Sequence, residues 1–237
     1  MKCIILAAGQ GTRLRTTEVV PKSLFLLNEE PLIRRQIDTF YKAGIREFVV
    51  ITGFMGDQVK AYVDTIDLAE CTITCVQNDE WQKENGISLL KAKPYIDSNF
   101  YFTMSDHYFE LGFVKAFMQN KLDSDCLRLA IDIPSEKNKH INLEDVTKVA
   151  LDGNKILNIG KMLQIYQAYD TGLFFCTTEV FHVLEENSRN NEFTISGCVK
   201  KLALAGKATV AYLGDYFWND IDDPADLEAT ENYLRKK

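Results

Sequence analysis

Strand-like and helix-like segments alternate through the first half of this 237-residue chain. Such alternation is typical of βαβ units, with a mainly parallel sheet and helices on both faces. It predicts an open α/β fold of the Rossmann-like type, in which ligands bind at the carboxyl ends of the strands. The predicted strands are 2–7, 48–51, 71–76 and 100–104, and the predicted helices are 32–45, 57–63, 87–93 and 112–121.

The second half of the chain is richer in β structure. Residues 146–151 and 155–159 are β-formers on either side of Asp152-Gly153-Asn154, which predicts a hairpin with a tight Asp-Gly turn. We found no internal repeat or low-complexity linker, so we expect a single domain over 1–237, in which a small added β region covers the sheet. Further strands are predicted at 127–133, 173–176 and 208–213, and helices at 178–187, 196–205 and 224–235.

A glycine-rich loop follows the first predicted strand. Gly9 and Gly11 let the backbone approach a phosphate and point N–H groups at it. The dinucleotide-binding fingerprint needs a small residue at position 14, where this chain has Leu14, and the loop also lacks the Gly-Lys-Ser/Thr of a P-loop. Arg13 and Lys22 supply two cations instead. Cations and backbone amides together suit a triphosphate whose pyrophosphate half must leave.

Composition excludes several other functions. The net charge is −7 and the pI is about 5.1, which argues against a general nucleic-acid binder. No run of about 18 apolar residues is present, so we expect no membrane span. The six cysteines form no Cys-x-x-Cys pair and no zinc-binding pattern. We therefore expect a cytoplasmic protein with reduced thiols.

The glycine loop carries a family resemblance. Leu6-Ala7-Ala8-Gly9-x-Gly11-Thr12-Arg13-Leu14, followed by Pro21-Lys22, resembles the signature of the GT-A-like nucleotidyltransferases that activate sugar phosphates and phospho-alcohols. The resemblance implies that the first half, 1–125, binds the nucleotide and that the second half, 126–237, binds the acceptor. It implies catalytic roles for Arg13, Lys22 and Asp106. The implied nucleotide-binding residues in and beyond the loop are Leu6, Ala7, Ala8, Gly9, Gly11, Thr12, Arg13, Lys22 and Ser105.

Nucleotidyl transfer needs a divalent cation, usually Mg²⁺, which takes one or two carboxylates together with phosphate oxygens. Asp106 follows a predicted buried strand at its carboxyl end and is the expected first ligand. Asp220 and Asp222 alternate with Ile221 and share one face if that segment is extended. The resemblance favours Asp222 as the second ligand, with Asp220 as the alternative. His107 is not needed as a base, because an attacking phosphate is already ionised.

Three further segments resemble the cytidylyltransferase branch of the family, in particular the CTP:inositol-1-phosphate cytidylyltransferases. They are Glu84 to Leu90, the Ser-Asp-His at 105–107, and the hairpin region that reaches Asp170-Thr171-Gly172. The resemblance implies that residues of the first segment border the cytosine and ribose, and that residues of the third hold the acceptor. The former are Asn85, Gly86 and Ser88, and the latter are Lys148, Lys161, Asp170 and Thr171.

The expected function is transfer of CMP from CTP to a phosphorylated small alcohol or polyol resembling inositol 1-phosphate, with release of pyrophosphate. A sugar-1-phosphate nucleotidyltransferase that uses UTP, dTTP or GTP is one alternative. A choline-phosphate cytidylyltransferase is another, and a non-catalytic nucleotide-binding subunit is the third. A choline site would want aromatic side chains around the quaternary amine. The candidates for that cage are Tyr166, Tyr169, Tyr212, Phe217 and Trp218. We expect a possible homodimer and neither a nucleic-acid nor a membrane partner.

Overall fold

A computed structural model describes residues 1–14, 19–122 and 125–237. These residues form thirteen strands and seven α-helices, and nine of the strands make one sheet. The strands are β1 (Lys2–Ala7), β2 (Leu26–Leu27), β3 (Glu30–Pro31), β4 (Glu47–Thr52), β5 (Thr72–Gln77), β6 (Phe100–Met104), β7 (His107–Phe109), β8 (Leu127–Asp132), β9 (Lys148–Asp152), β10 (Lys155–Gly160), β11 (Ala168–Cys176), β12 (Ala208–Tyr212) and β13 (Trp218–Asp220). The helices are α1 (Leu32–Ala43), α2 (Gly56–Val63), α3 (Asn85–Lys91), α4 (Leu111–Met118), α5 (Glu179–Arg189), α6 (Ile195–Leu204) and α7 (Pro224–Arg235).

The large sheet has two parts with different strand directions. Strands β5, β4, β1 and β6 lie side by side and are parallel. Strand β11 is antiparallel to both β6 and β8, and β12 is parallel to β8. Strands β10 and β9 complete the order, and β9 also pairs with the start of β11. The predicted fold class is confirmed, with the parallel strands mostly in the first half and the added β region in the second.

The two faces of the sheet are covered by different helices. Side chains in a strand alternate between faces. Accordingly, Cys3 and Ile5 of β1 pack in one core cluster with α1, α2 and α4, whereas Ile4 and Leu6 pack in another with α3, α5 and α6. All four side chains are buried. The sheet therefore has helices on both of its faces, as the alternating pattern predicts.

Helix α1 shows how local sequence sets an element. Ile33, Ile37 and Phe40 recur at helical spacing and are fully buried against the sheet. Gly44 ends the helix in a left-handed conformation (φ 112°), and its N–H donates to the carbonyl oxygens of the last turn. The helix therefore ends at Ala43, two residues before the predicted end.

The predicted hairpin is present, with a small shift of its turn. Asp152 and Lys155 face each other as the last strand pair, so the loop residues are Gly153 and Asn154. Gly153 has a φ of 58°, which a glycine adopts without strain. The turn glycine is thus the first loop residue, which fits a two-residue hairpin with glycine in the first central position.

A short two-stranded sheet joins residues that are far apart in sequence. Strand β7 follows β6 after a two-residue turn and pairs antiparallel with β13, so that His107 lies opposite Asp220. The N–H of Ile221 donates to the carbonyl oxygen of Asp106 at 3.0 Å. This small sheet, which the sequence analysis did not predict, places the end of β13 beside the end of β6.

Two expectations drawn from composition concern the cysteines and the apolar segments. All six cysteines are free, and four of them are buried. Among the described residues, no helix combines the length and the apolar character needed to cross a bilayer.

Candidate active site

The glycine loop and Lys22 form one packed unit. Gly11 has a φ of 64°, and a Cβ at this position would lie 2.5 Å from the Cβ of Lys22. A side chain at Gly11 is therefore excluded both by the backbone conformation and by the stem of the lysine. A Cβ at Gly9 would meet no atom of the described residues within 4 Å, so packing against those residues does not explain that glycine. Open space at Gly9 leaves room for a ligand to approach the backbone.

Lys22 is a buried cation surrounded by carboxylates. It lies in a 3₁₀ turn after Pro21, and its side chain is only 8% exposed. The ammonium group donates to Asp106 Oδ2 at 2.5 Å and to Asp222 Oδ1, and Asp220 Oδ1 is 3.9 Å away. Burial opposes the charge, but the surrounding carboxylates outweigh it and raise the pKa of Lys22. The lysine is therefore held charged next to three aspartates.

Arg13 is a second, more exposed cation. Its Nη1 donates to Asp145 Oδ2 at 2.5 Å and its Nη2 to Asp222 Oδ2 at 2.6 Å. The hydrogen bond that Arg13 donates to Asp145 raises the pKa of Arg13, and the negative charge of Asp222 raises it further. The guanidinium is half exposed, so it remains accessible to a ligand while it is held. Asp222 is thus shared by the two cations of the predicted phosphate site.

The acidic residues are positioned by three different elements. Asp106 follows β6 at the carboxyl end of the parallel strands, and Asp220 is the last residue of β13. Asp222 lies just before α7, where its N–H donates to Asp226 Oδ2 at 3.0 Å. Asp223 caps the helix through the N–H groups of its first turn. The helix start therefore fixes where Asp222 is placed.

Asp106, His107 and Asp220 form a group that could hold a metal ion. One ligand atom from each residue lies within 4.8 Å of the others. Asp220 Oδ1 is buried and accepts no hydrogen bond from any described residue, although the side chain as a whole is 42% exposed. An unsatisfied buried carboxylate oxygen is costly and is best explained by a missing partner. Oxygen atoms of two carboxylates are the donors that Mg²⁺ prefers, so this part of the site fits the ion.

Asp106, His107 and Asp220 alter one another's pKa values. Burial would raise the pKa of Asp106, but Lys22 and His107 hold it well below its usual value. Burial also works against the charge on His107, but Asp220 and Asp106 raise the pKa of that imidazole to about 9. Burial, reinforced by Asp106, raises the pKa of Asp220. The nearby carboxylates thus favour a protonated His107, and Asp220 is the acid least stabilised as an anion.

Asp106, His107 and Asp220 line a cavity of about 230 Å³. Asp106, Asp145, Asp170, Asp220, Asp222 and Lys161 are among the residues that line it. The cavity lies at the carboxyl end of β6 and extends towards the hairpin of the second half. It is therefore in contact with both the predicted nucleotide side and the predicted acceptor side.

Two of the four predicted acceptor residues line this cavity. Lys161 lines the cavity, and its ammonium group donates a hydrogen bond to Asp145 Oδ1. Asp170 also lines the cavity and accepts a hydrogen bond at 2.8 Å from the N–H of Gly172. Burial raises the pKa of Asp170 to about 6. A cation and an acid therefore lie on the acceptor side of the cavity.

The other two predicted acceptor residues lie elsewhere. Lys148 donates to the carbonyl oxygen of Lys161 at 2.8 Å and lies over the ring of Tyr166. Thr171 is completely buried, and its hydroxyl donates to the carbonyl oxygen of Ala130 at 2.8 Å. Because neighbours in a strand face opposite sides, Thr171 points into the sheet when Asp170 faces the cavity. The expected contact between Thr171 and the acceptor stays a prediction, although its hydroxyl is already hydrogen-bonded within the protein.

The predicted base-side residues belong to the start of α3 and are bonded within the protein. Asn85 lines the cavity, but its Oδ1 accepts from the N–H of Ile195 at 2.9 Å. The N–H of Gly86 donates to the carbonyl oxygen of Phe193 at 2.9 Å, and a Cβ on Gly86 would come within 2.5 Å of that oxygen. Ser88 is buried and its hydroxyl accepts from Asn78. Their contact with cytosine stays a prediction.

The other predicted nucleotide-binding residues lie in or next to the glycine loop. Leu6, Ala7 and Ala8 are buried, and the N–H of Ser105 donates to the carbonyl oxygen of Leu6 at 2.9 Å. This bond ties the start of the loop to the turn that carries Asp106. The exposed Thr12 completes the predicted loop.

Sequence reasoning missed two residues of this site. Asp145 was not considered, because Asn142-Leu143-Glu144-Asp145 is indistinguishable from an ordinary acidic loop. His107 was considered only as an unnecessary base. The imidazole of His107 packs closely against Gly172, which has a φ of 76°. A Cβ at Gly172 would lie 2.3 Å from His107 Nε2, so the glycine is the sequence signal for this packing.

Comparisons with known proteins agree with this geometry. The chain is 34% identical over 237 residues to the "Bifunctional IPC transferase and DIPP synthase" of Aquifex aeolicus, and 28% identical over 235 residues to the protein of that name from Thermococcus kodakarensis. These alignments cover 98% of this chain, which spans about half the length of those relatives. The choline-phosphate cytidylyltransferase of Streptococcus pneumoniae is 36% identical over 110 residues, which is 46% of this chain and 45% of that protein.

A solved structure and a family profile extend the comparison. The inositol-1-phosphate CTP transferase from T. maritima superimposes with a TM-score of 0.87 at 25% identity, over 99% of this chain and 95% of that one. The profile described as "MobA-like NTP transferase domain" matches residues 3–141, which include the glycine loop, Lys22, Asp106 and His107. The resemblance inferred from the glycine loop is thus confirmed, and the chain belongs to the MobA-like NTP transferase family.

Proposed function

We propose that this chain transfers CMP from CTP to a phosphorylated small alcohol or polyol, with inositol 1-phosphate as the first candidate. The observation that carries the proposal is that Asp106 and Asp220 line one cavity, while Lys22 and Arg13 donate to the wall carboxylates Asp106 and Asp222. Two cations and a free carboxylate oxygen at the end of a parallel sheet suit a triphosphate with its cation. The two bifunctional relatives and the inositol-1-phosphate CTP transferase support the choice of CTP and of a polyol phosphate.

The reaction is an exchange of one phosphorus–oxygen bond for another. An oxygen of the acceptor phosphate forms a bond to the α-phosphorus of CTP, and the bond from that phosphorus to the β-phosphate oxygen breaks. Pyrophosphate leaves with the electron pair of that bond. The acceptor phosphate is already an anion at neutral pH, so the step needs no general base. The protein contributes mainly position and electrostatic stabilisation.

Each charged residue has a distinct part in this scheme. Arg13 and Lys22 bind the phosphates of the nucleotide and balance the charge that develops on the leaving pyrophosphate. Asp106 and Asp220 would hold Mg²⁺, which supplies charge neutralisation at the phosphate oxygens when it is bound. We favour Asp220 over Asp222, because Asp220 Oδ1 is buried and accepts no hydrogen bond from any described residue, whereas Asp222 accepts from Lys22 and Arg13. Asp222 then orients those two cations.

The acceptor is bound on the hairpin side of the cavity in this proposal. Lys161 is the cation available for the acceptor phosphate, and Asp170 is the acid available for an acceptor hydroxyl. Residues 126–237 thus form the acceptor-binding half, and residues 1–125 form the nucleotide-binding half. The six free thiols fit the reducing cytoplasm, where we propose that the enzyme works.

Choline phosphate is the alternative acceptor, favoured by the similarity to the pneumococcal enzyme. A quaternary amine is usually bound by several aromatic faces. Of the five aromatic candidates, only Trp218 lines the cavity, and its Nε1 donates to Asp132 at 2.8 Å. The wall of the cavity carries several carboxylates, which can accept hydrogen bonds from the hydroxyl groups of a polyol. We therefore favour a polyol phosphate over choline phosphate as the acceptor.

The test is a matrix of four triphosphates against five acceptors, with pyrophosphate release as the readout. The triphosphates are CTP, UTP, dTTP and GTP, and the acceptors are inositol 1-phosphate, choline phosphate, aminoethylphosphonate, glycerol phosphate and glucose 1-phosphate. We expect the highest kcat/KM for CTP with inositol 1-phosphate. Asp106→Asn, purified in parallel, controls for contaminating enzymes. A preference for UTP with glucose 1-phosphate would replace the proposal, and nucleotide binding without any turnover would indicate a non-catalytic subunit.

A further inference from the structure

Asp145 connects the two substrate sides of the cavity. It lies in the segment between β8 and β9, where its N–H donates to the carbonyl oxygen of Asn142 at 3.1 Å. Its side chain is 23% exposed and lines the cavity. One carboxylate oxygen accepts from Arg13 and the other accepts from Lys161. A single acid thus bridges two cations that are 148 residues apart in sequence (161 − 13).

The two cations come from different substrate sides. Arg13 lies on the glycine loop after β1, and Lys161 directly follows β10 of the hairpin. Without Asp145, Lys161 would be a half-exposed side chain with many accessible rotamers, and the half-exposed Arg13 would keep only its hydrogen bond to Asp222. The bridge therefore fixes the distance between the donor-side cation and the acceptor-side cation before any substrate binds.

That distance matters for the proposed chemistry. The acceptor phosphate and the α-phosphate of CTP are both anions, and they must come into contact in line for the bond to form. Their repulsion is reduced when each phosphate has its own cation at the correct separation. Preorganised charges avoid the reorganisation that mobile side chains would need.

The bridge leaves both cations able to bind phosphate. A guanidinium has five N–H donors, of which the two hydrogen bonds of Arg13 to Asp145 and Asp222 use two. An ammonium group has three donors, of which Lys161 uses one on Asp145. Neither cation has to leave Asp145 in order to donate a hydrogen bond to a phosphate oxygen.

We propose that Asp145 is a positioning residue that sets the separation of the donor-phosphate cation Arg13 and the acceptor-phosphate cation Lys161. The inference rests on the proposed function, because it assigns the two cations to the two substrates. Asp145 touches neither substrate in this scheme and acts through the two cations.

The experiment compares Asp145→Ala and the isosteric Asp145→Asn with the unchanged protein. Asp64→Ala is the matched control, since Asp64 also pairs with a lysine, Lys60, but on the surface of α2. Calorimetry measures the Kd of CTP with Mg²⁺ in the absence of acceptor, and pyrophosphate release gives the KM of the acceptor. Each Asp145 variant is also combined with Arg13→Ala and with Lys161→Ala, which gives two double-mutant cycles for each variant.

We expect each Asp145 variant to weaken CTP binding and to raise the acceptor KM, each by about tenfold for Asp145→Ala. The loss of CTP affinity should disappear in the Arg13→Ala background, and the acceptor effect should disappear in the Lys161→Ala background. Asp64→Ala should change neither quantity. Tighter CTP binding in Asp145→Ala would overturn the proposal, because it would make Asp145 a competitor of the phosphates. Equal losses in all backgrounds would also overturn it, since they would indicate a general structural role.

Two further readouts keep this test separate from that of the proposed function. Thermal denaturation checks folding, and Asp145→Asn carries the test if Asp145→Ala unfolds. If the unchanged protein binds a triphosphate but turns over no acceptor, the proposed function fails. The cycle between Asp145 and Arg13 is then still decided by calorimetry with whichever triphosphate binds. If no triphosphate binds at all, both proposals fail.

Discussion

Replacing Lys22 by methionine should destabilise the protein in a way that depends on pH. Methionine has a similar length and leaves Asp106, Asp220 and Asp222 next to one another without their shared cation. Their side chains would then be partly buried anions in mutual repulsion. Removing one partner of a buried ion pair costs much more than the pair itself contributes, because a charge is left uncompensated.

The burial of the partners sets the expected magnitude. Lys22 is 8% exposed, and Asp106 and Asp222 are each about one-fifth exposed. A fully buried pair that loses one partner costs roughly 3–5 kcal/mol, and partial solvation of the two aspartates favours the lower end. We therefore expect Lys22→Met to lower the free energy of unfolding by about 3 kcal/mol at neutral pH.

The pH dependence follows from Asp106. Its pKa in the folded protein lies below its ordinary value of 3.8, so its stabilising contribution is present above 3.8 and is lost as the pH falls through the folded-state pKa. In Lys22→Met, the burial that raises the pKa of Asp106 is no longer opposed by the lysine, so this carboxylate takes up a proton at a higher pH and its repulsion is already relieved between about pH 7 and about pH 4. The difference between the two proteins should thus be largest near neutral pH and should shrink as the carboxylates become protonated.

Urea denaturation of both proteins at about pH 7 and about pH 4 measures this difference. Lys60→Met is the control, since its partner Asp64 is on the surface and the change should be negligible. Mg²⁺ should stabilise Lys22→Met more than the unchanged protein, because another cation can then bind the exposed carboxylates. A loss below about 1 kcal/mol at neutral pH, or the same loss at both pH values, would refute the reasoning.

Three more substitutions test other parts of the site. Asp106→Asn should lower kcat by about 100- to 1,000-fold in a protein that still folds, because Lys22 keeps its ion pair with Asp222, and near-normal pyrophosphate release would contradict its role. Gly172→Ala should lower the free energy of unfolding by more than about 2 kcal/mol, because it adds a clash with His107 to the strain of a positive φ. Gly153→Ala is its control, since a Cβ there meets open space and adds only strain; equal losses would remove the clash from the explanation. For Asp170, the folded-state pKa of about 6 lies above the ordinary 3.8, so the unchanged protein should lose stability as the pH rises through about 6. Asp170→Asn should remove this loss and should raise the acceptor KM; parallel melting curves from pH 4 to pH 8 would contradict the first expectation.

The parts of the fold that the sequence predicted are those where local periodicity and burial agree. Strand β1 alternates between two core clusters, and α1 places Ile33, Ile37 and Phe40 on one buried face. Each of these elements is long enough to show its period, so its type is visible without knowledge of its neighbours. Most boundaries differ from the predicted ones by one or two residues, because caps such as Gly44, and not the apolar pattern, end the elements. Helix α4 ends three residues before its predicted end, and β11 begins five residues before its predicted start.

The site was predicted only as far as its motifs extend. The loop with Arg13, the turn with Lys22 and the strand end with Asp106 each have a local signature. The choice between Asp220 and Asp222 has none, because both lie on the same face of an extended segment. It depends on where β13 ends and on its pairing with β7, which is three residues long and joins residues more than 100 positions apart. Pairing of such short strands leaves no pattern in the sequence.

The charge arrangement explains why Asp145 is as important to this site as the motif residues. Asp222 is shared by Lys22 and Arg13, and Asp145 is shared by Arg13 and Lys161, so each shared acid links one cation to the next. The chain of contacts runs from the buried end of the cavity to the hairpin. A change in any shared acid alters the position of two cations at once, whereas the loss of one cation leaves the other contacts in place. In the proposed reaction, the acids that touch no phosphate therefore set the spacing of the cations that bind the phosphates.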